Sequence, residues 1–245
     1  VKALILAAGE GRRLRPLTNT MPKPMIEVAG RPVLEHNVRL LAAHGITDIA
    51  INLHYRGDVI RDYFGDGSRF DVAITYSDES GEEAHGTAGA LLPLQDWFEG
   101  PFVVCYGDTY STVNLTRMIE WHHYCSAMMT MAVVHREDVK RSGIVGISTG
   151  DRITRFIEKP KPGQVFSHWI NAGMLVCEES VIAALPHPGW TTAQSPIHSY
   201  DFGQDIIPKL IGNGAPLFAY RMVHENERIL TLDTPDQLEA TRAAL

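Results

Sequence analysis

From Leu6 to Thr18 the chain reads Leu-Ala-Ala-Gly-Glu-Gly-Arg-Arg-Leu-Arg-Pro-Leu-Thr, and Pro22-Lys23-Pro24-Met25 follows closely. Small residues at Ala7, Ala8, Gly9 and Gly11 let backbone N–H groups approach an anion, and Arg12, Arg13, Arg15 and Lys23 can neutralise it. Such a loop suits phosphate. Prolines on both sides of Lys23 stiffen the backbone that carries the amine. Two familiar phosphate loops are excluded: no GxxxxGK[ST] occurs, and Leu14 stands where a dinucleotide fingerprint begun by Gly9-x-Gly11 requires a third small residue. A nicotinamide-dependent dehydrogenase fails on the same residue.

Charge sets the context of this loop. The 245 residues carry 22 Lys and Arg against 29 Asp and Glu, a net charge of −7, which argues against a protein that coats nucleic acid through a broad basic face. Any phosphate must therefore meet a local positive cluster. Three cysteines, Cys105, Cys125 and Cys177, are widely spaced without a CxxC, so neither a disulfide framework nor a zinc knuckle is expected. The apolar start ends at Gly9, too short for a signal peptide, and no run reaches the ~18 residues of a membrane span. The expectation is a cytoplasmic protein with no nucleic-acid and no membrane partner. Eleven histidines include His122-His123 and His187, but adjacent helical histidines point apart and make no metal site alone. Met128, Met129, Met131 and Cys105 read as core, and Met21 and Met25 as packing beside the loop.

The elements that must position the loop alternate. Short apolar runs at 3–7, 49–53, 72–76 and 102–106 read as buried strands, and 32–43 and 54–64 carry helical spacing. This predicts an α/β fold with a mostly parallel sheet flanked by helices, ligands binding at the carboxyl ends of the strands. Residues 128–134, 144–147, 153–157 and 170–176 read as strands with few helices between them, as in a smaller antiparallel lobe. Helix returns at 205–211 and after Thr234-Pro235, where Thr234 can cap. The expected organisation is one domain over 1–245, with one part near 1–125, a second near 126–230 and a last helix over 234–245.

These motifs resemble the nucleoside-diphosphate-sugar pyrophosphorylases, also called sugar-1-phosphate nucleotidyltransferases. Their signature LAAGxGTRLRPLT…PKPMxxVxGxPxL is followed by Leu6 to Thr18, Pro22 to Met25, Val28, Gly30, Pro32 and Leu34, with Arg12 at the usual threonine position. The resemblance extends along nearly the whole chain. Gly86-Thr87-Ala88-Gly89 is similar to the base-recognition segment, with His85 where leucine is common; Gly107-Asp108 resembles the metal-binding GD, Glu158-Lys159-Pro160 the EKP, and Asn171-Ala172-Gly173 the NAG. Leu232-Asp233-Thr234-Pro235 resembles the segment of the second metal aspartate, although a WxDIGTP alignment would set Thr231 there instead.

The resemblance implies transfer of a nucleotidyl group from a nucleoside triphosphate to a sugar 1-phosphate with Mg²⁺ as cofactor. It assigns Arg13, Lys23 and Asp108 to catalysis, and Leu6, Ala8, Gly9, Gly11, Arg12, Arg13, Lys23, Gly86, Thr87 and Gly107 to the nucleotide. Glu158, Lys159, Asn171 and Gly173 would take the sugar phosphate, and Asp108 with Asp233 the metal. GTP with mannose 1-phosphate is the pair most like the motifs; cytidylyl, uridylyl and thymidylyl transfer, and a non-catalytic regulatory homologue, stay open. No hexapeptide β-helix domain is expected within the chain, and a homo-oligomer is as compatible with it as a monomer.

Overall fold

The first apolar run becomes the strand Lys2–Leu6 in a computed structural model of the chain, which describes residues 1–79, 81, 84–185 and 199–245. His187 lies outside the described residues. The chain divides into two units, one of Val1–Ala84, Val104–Val113 and Glu225–Leu245, the other of His85–Val103 and Asn114–His224.

In the first unit, Lys2–Leu6 pairs in parallel with Asp48–Leu53, which pairs in parallel with Ala73–Asp78. Leu4, Ile5, Ile49 and Ile51 are fully buried, as the near-continuous apolar runs of a parallel sheet require. Helix Val33–Ala43 buries Val33, Leu34, Val38 and Leu41. The second helix is Gly57–Phe64 and not 54–64, because Arg56 sits in the left-handed region at φ +51. The residues left out of it have other work. Tyr55 Oη donates to Thr18 O at 2.8 Å, and Arg56 Nη2 donates to Thr20 O at 3.3 Å, so this turn holds the far end of the glycine and arginine loop.

Two short antiparallel pairings are not evident from apolar runs. Glu27–Val28 pairs with Arg31–Pro32, and Thr109–Ser111 with Ile229–Thr231 in the register Thr109↔Thr231. The second pairing carries the chain on toward Asp233 beside the segment of Asp108. Helix Pro235–Ala244 then begins where Thr234 Oγ1 accepts from the Gln237 N–H at 3.3 Å. Leu14, Ile26, Val28, Val33, Leu232 and Leu238 form one buried cluster, with Met21 and Tyr110 against it, which fixes the loop and the C-terminal segment to a common base.

The second unit is built on antiparallel strands. Ile153–Glu158 pairs with Gly143–Ile147, and Trp169–Cys177 with Met129–His135, while Leu217–Arg221 joins Met129–His135 in parallel. Pairing slips between Asn171 and Leu175, where Gly173 takes φ +74. Helix Leu115–Tyr124 buries His122, whose ring nitrogens lie 2.9 Å from Thr130 Oγ1 and 3.2 Å from Glu178 Oε1. The helix expected at 205–211 starts earlier and differently: a wide π turn covers Phe202–Ile206, and α-helix follows over Ile207–Gly212. Pro208 lacks the N–H that an α turn would use there, and Asp201 caps the start. Among the described residues no helix is long and apolar enough to cross a membrane.

Candidate active site

Where the strand Lys2–Leu6 ends, Ala7 N–H leaves the ladder and donates to Asn52 Oδ1 at 2.8 Å. Ala8 is half-buried and Gly9 exposed, with no atom within 4 Å of where a Cβ on Gly9 would stand. Gly11 takes φ +63, and a Cβ there would lie 2.8 Å from Lys23 Cβ, so glycine is what lets Lys23 pack under the loop. Gly11 O accepts from Leu14 N–H and from Thr18 Oγ1, each at 2.9 Å.

The loop's cations separate into two sets. Arg12 forks onto Glu10, with Nε 2.6 Å from Oε2 and Nη2 2.9 Å from Oε1, and Arg15 reaches the same carboxylate at 3.4 Å. The Arg12 hydrogen bond holds the Glu10 carboxyl below its ordinary value. The extra positive charge at position 12 is thus met by Glu10. Lys23 and Arg13 face other acids: Lys23 Nζ lies 2.5 Å from Asp108 Oδ2 and 2.6 Å from Asp233 Oδ1, and Arg13 Nη2 lies 3.3 Å from Asp233 Oδ1. Only 8% of the Lys23 side chain is exposed. Burial opposes its charge, but the two carboxylates outweigh burial and raise the Lys23 pKa.

Asp108 is placed by the backbone before it. Gly107 N–H donates to Leu6 O at 2.9 Å, and a Cβ on Gly107 would stand 2.8 Å from that oxygen. A side chain at 107 would push Asp108 away from the end of the first strand.

The remaining predicted residues lie in the second unit. Glu158 ends its strand half-buried, and burial pushes its carboxyl above the usual range although Lys159 opposes this. Lys159 is exposed, takes φ +47, and holds Nζ 3.6 Å from Glu158 Oε1. A left-handed lysine costs about 1 kcal/mol or more, a strain found where a side chain must point one way. Asn171 Oδ1 accepts from Gly173 N–H at 2.9 Å across the bulge. Gly86 takes φ +78, and Thr87 Oγ1 donates to Asp201 Oδ2 at 2.9 Å.

The Nucleotidyl transferase family model matches residues 2–225. The chain belongs to the nucleotidyl transferase family. A UTP--glucose-1-phosphate uridylyltransferase of Synechocystis is 35% identical over 100% of this chain and 63% of its own length. A mannose-1-phosphate guanylyltransferase of Mycobacterium tuberculosis is 31% identical over 87% of this chain and 56% of its own. The chain thus spans about 56–63% of the length of these curated relatives. A Bacillus anthracis protein assigned as a glucose-1-phosphate thymidylyltransferase, solved with sucrose, superposes with TM-score 0.83 at 25% identity, covering 99% of this chain and 94% of its own. A UDP-glucose pyrophosphorylase solved with UDP-glucose shares the fold, with TM-score 0.82 at 18% identity, covering 99% and 97% of the two chains.

Two residues that the motifs do not mark, Asn52 and Asp201, shape this member of the family. Asn52 and Glu79 are buried to 2% and 1% exposure, and Asn52 Nδ2 donates to Glu79 Oε1 at 2.9 Å while its Oδ1 holds Ala7 N–H. The signal in the sequence is a polar residue inside the apolar run Ile49-Ala50-Ile51-Asn52-Leu53. Asp201 is the other, and its signal is a cap residue just before a helical segment.

The raised pKa of Glu158 makes a stability prediction. A carboxyl whose folded value exceeds its unfolded one costs stability as pH rises through the folded value, and the cost is absent below the unfolded value. Glu158→Gln should therefore raise the urea midpoint near pH 7 and leave it unchanged well below the ordinary 4.5. A lower midpoint at pH 7 would mean that the Lys159 contact outweighs burial.

Proposed function

We propose that this chain transfers a nucleotidyl group from a nucleoside triphosphate to a sugar 1-phosphate, forming a nucleoside-diphosphate sugar and pyrophosphate. The observation that carries the reading is the convergence of Lys23 and Arg13 on the carboxylates of Asp108 and Asp233, beside a loop of small residues. A sugar-phosphate oxygen attacks the α-phosphorus as the bond to pyrophosphate breaks. Both reactants are anions, so positioning and charge neutralisation dominate.

Lys23 and Arg13 hold the triphosphate and the charge that develops at the α-phosphorus, and Arg13 also steers the pyrophosphate. In the first unit Leu6, Ala8, Gly9, Gly11, Arg12 and Gly107 serve the nucleotide, and in the second unit Gly86 and Thr87 do. Lys159 holds the sugar phosphate, while Glu158, Asn171 and Gly173 meet the sugar hydroxyls, where unpaired partners penalise the wrong sugar. Two carboxylates whose oxygens lie within 2.6 Å of one ammonium offer the oxygen donors that Mg²⁺ takes. Asp108 and Asp233 would hold it, and the bound ion supplies charge stabilisation at the α-phosphate. Among the described residues no three His, Cys, Asp or Glu side chains converge, so the other ligands would be substrate oxygens and water.

GTP with mannose 1-phosphate is the proposed pair, supported by Ala8, by Gly86-Thr87-Ala88-Gly89 and by the guanylyltransferase relative. UTP with glucose 1-phosphate is the second reading, favoured by the Synechocystis relative that matches the whole chain. Three cysteines without a disulfide suit a reducing, cytoplasmic setting.

Pyrophosphate release measured over five common triphosphates crossed with a panel of sugar 1-phosphates, with and without Mg²⁺, tests the proposal. No turnover with any pair sinks it. Within the active pair, Lys159→Ala should raise the KM for the sugar phosphate roughly 10- to 100-fold, the worth of about 1.5–3 kcal/mol for a bond to a charged group. Triphosphate binding should change little; equal loss on both substrates would remove Lys159 from its role.

A further inference from the structure

The Thr87 hydroxyl is committed to the protein itself. It donates to Asp201 Oδ2 at 2.9 Å and accepts from Phe202 N–H at 2.8 Å. A hydroxyl has one proton and two lone pairs, so no donor remains for a ligand. The backbone around it is locked to the same segment. Tyr200 O accepts from Ala88 N–H and Gly89 N–H at 2.8 and 3.1 Å, and Tyr200 N–H donates to His85 O at 2.8 Å. A Cβ on Gly86 would stand 2.4 Å from Tyr200 O, an approach open only to glycine.

Asp201 joins this lock to the π turn over Phe202–Ile206. Its Oδ1 accepts from Gly203 N–H at 2.8 Å and Gln204 N–H at 3.1 Å, and its own N–H donates to Asp205 Oδ2 at 2.7 Å. Beside that turn lies Glu158, since a Cβ on Gly203 would stand 2.7 Å from Glu158 Oε2. One carboxylate thus ties the segment 85–89 to the turn that packs on Glu158.

We propose that Asp201 is a positioning residue for the nucleotide segment, acting through the Thr87 hydroxyl, and that Thr87 serves the nucleotide by this bond rather than by touching it. The proposal rests on the proposed function, in which 85–89 meets the nucleotide and Glu158 the sugar. Removing the Thr87 hydroxyl leaves Asp201 Oδ2 and Phe202 N–H without their partner and lets the segment drift. Removing the Asp201 carboxylate does the same from the other side, so either loss contains most of the other.

The test compares Thr87→Val, Asp201→Ala and their double variant with Thr87→Ser and Asp201→Asn, each first checked for a cooperative melt. Binding of methylanthraniloyl-labelled GTP and UTP is read by fluorescence, and the KM of each substrate by pyrophosphate release. Thr87→Val and Asp201→Ala should each weaken triphosphate binding about tenfold, with the double variant within about twofold of the weaker single one. Thr87→Ser keeps the hydroxyl, and Asp201→Asn keeps the cap acceptor and can bond Thr87 with the sense reversed, so both should stay within about threefold of the wild type. Unchanged binding by Thr87→Val overturns the proposal, as do multiplying effects in the double variant. So does an Asp201→Asn as damaged as Asp201→Ala in sugar-phosphate KM alone, which would make Asp201 a direct sugar contact. The fluorescence arm stands without turnover: coupled losses of nucleotide affinity in a chain inactive with every pair would keep this proposal and reject the reaction.

Discussion

Lys23→Met should lower turnover roughly 10³-fold, comparable to removing a main stabiliser of developing charge. Methionine keeps much of the length of the side chain and removes only the ammonium, which stands 2.5 Å from Asp108 and 2.6 Å from Asp233. Arg13, at 3.3 Å from Asp233, still stands beside that pair. Stability should also fall. Stripping one partner from a buried ion pair costs about 3–5 kcal/mol, and because the carboxylates are 35% and 25% exposed the loss should be roughly half of that. The pH dependence has a definite sign. The Lys23 pKa is raised above 10.5, so its stabilising contribution is whole at neutral pH and is lost only as pH rises beyond that value. Urea midpoints of wild type and variant should run parallel from about pH 7 to 9 and approach each other above 10.5. A variant that keeps a tenth of the wild-type kcat contradicts the role given to the ammonium.

Asp108→Asn should reduce turnover by about 10²–10³ and change stability less than Lys23→Met does. The amide is isosteric, and its oxygen can still accept from Lys23, so packing survives while one negative charge is lost. The deficit should appear in kcat and in the Mg²⁺ concentration needed for half-maximal rate, with the sugar-phosphate KM little altered. Binding of Mn²⁺ followed by electron paramagnetic resonance gives a readout apart from turnover. Weakened Mn²⁺ binding supports Asp108 as a ligand; unchanged Mn²⁺ binding and rate would leave it only as the counter-ion of Lys23.

Much of the fold can be read from patterns of one residue type. The run Phe102-Val-Val-Cys-Tyr106 becomes a strand over those same residues, and the parallel strands begin and end within one or two residues of the apolar runs that announce them. Misplaced boundaries trace to single residues: Arg56 in the left-handed region shortens one helix, and Pro208 with its Asp201 cap reshapes another. The partners of charges are harder. Nothing local tells that Arg12 will spend itself on Glu10, two residues away, while Lys23 reaches across 85 and 210 residues to Asp108 and Asp233. Those long pairings depend on the short strand pair Thr109–Ser111 and Ile229–Thr231, three residues each and too brief to announce themselves by periodicity. Asn52 and Asp201 escape for a related reason. Each is a common polar residue whose importance lies in which backbone it meets.

The separation of 210 residues between Lys23 and Asp233 also has a temporal meaning. A ribosome adds about 5–20 residues per second, so roughly 10–40 s pass between the synthesis of the lysine and that of its second acid. During that interval the nascent glycine and arginine loop has its lysine but only one of the two carboxylates, once Asp108 has emerged, and the small sheet that sets their spacing lacks a strand. The centre therefore becomes whole only after Asp233 has emerged, and a ribosome stalled before residue 229 would hold the parallel strands with an unfinished site.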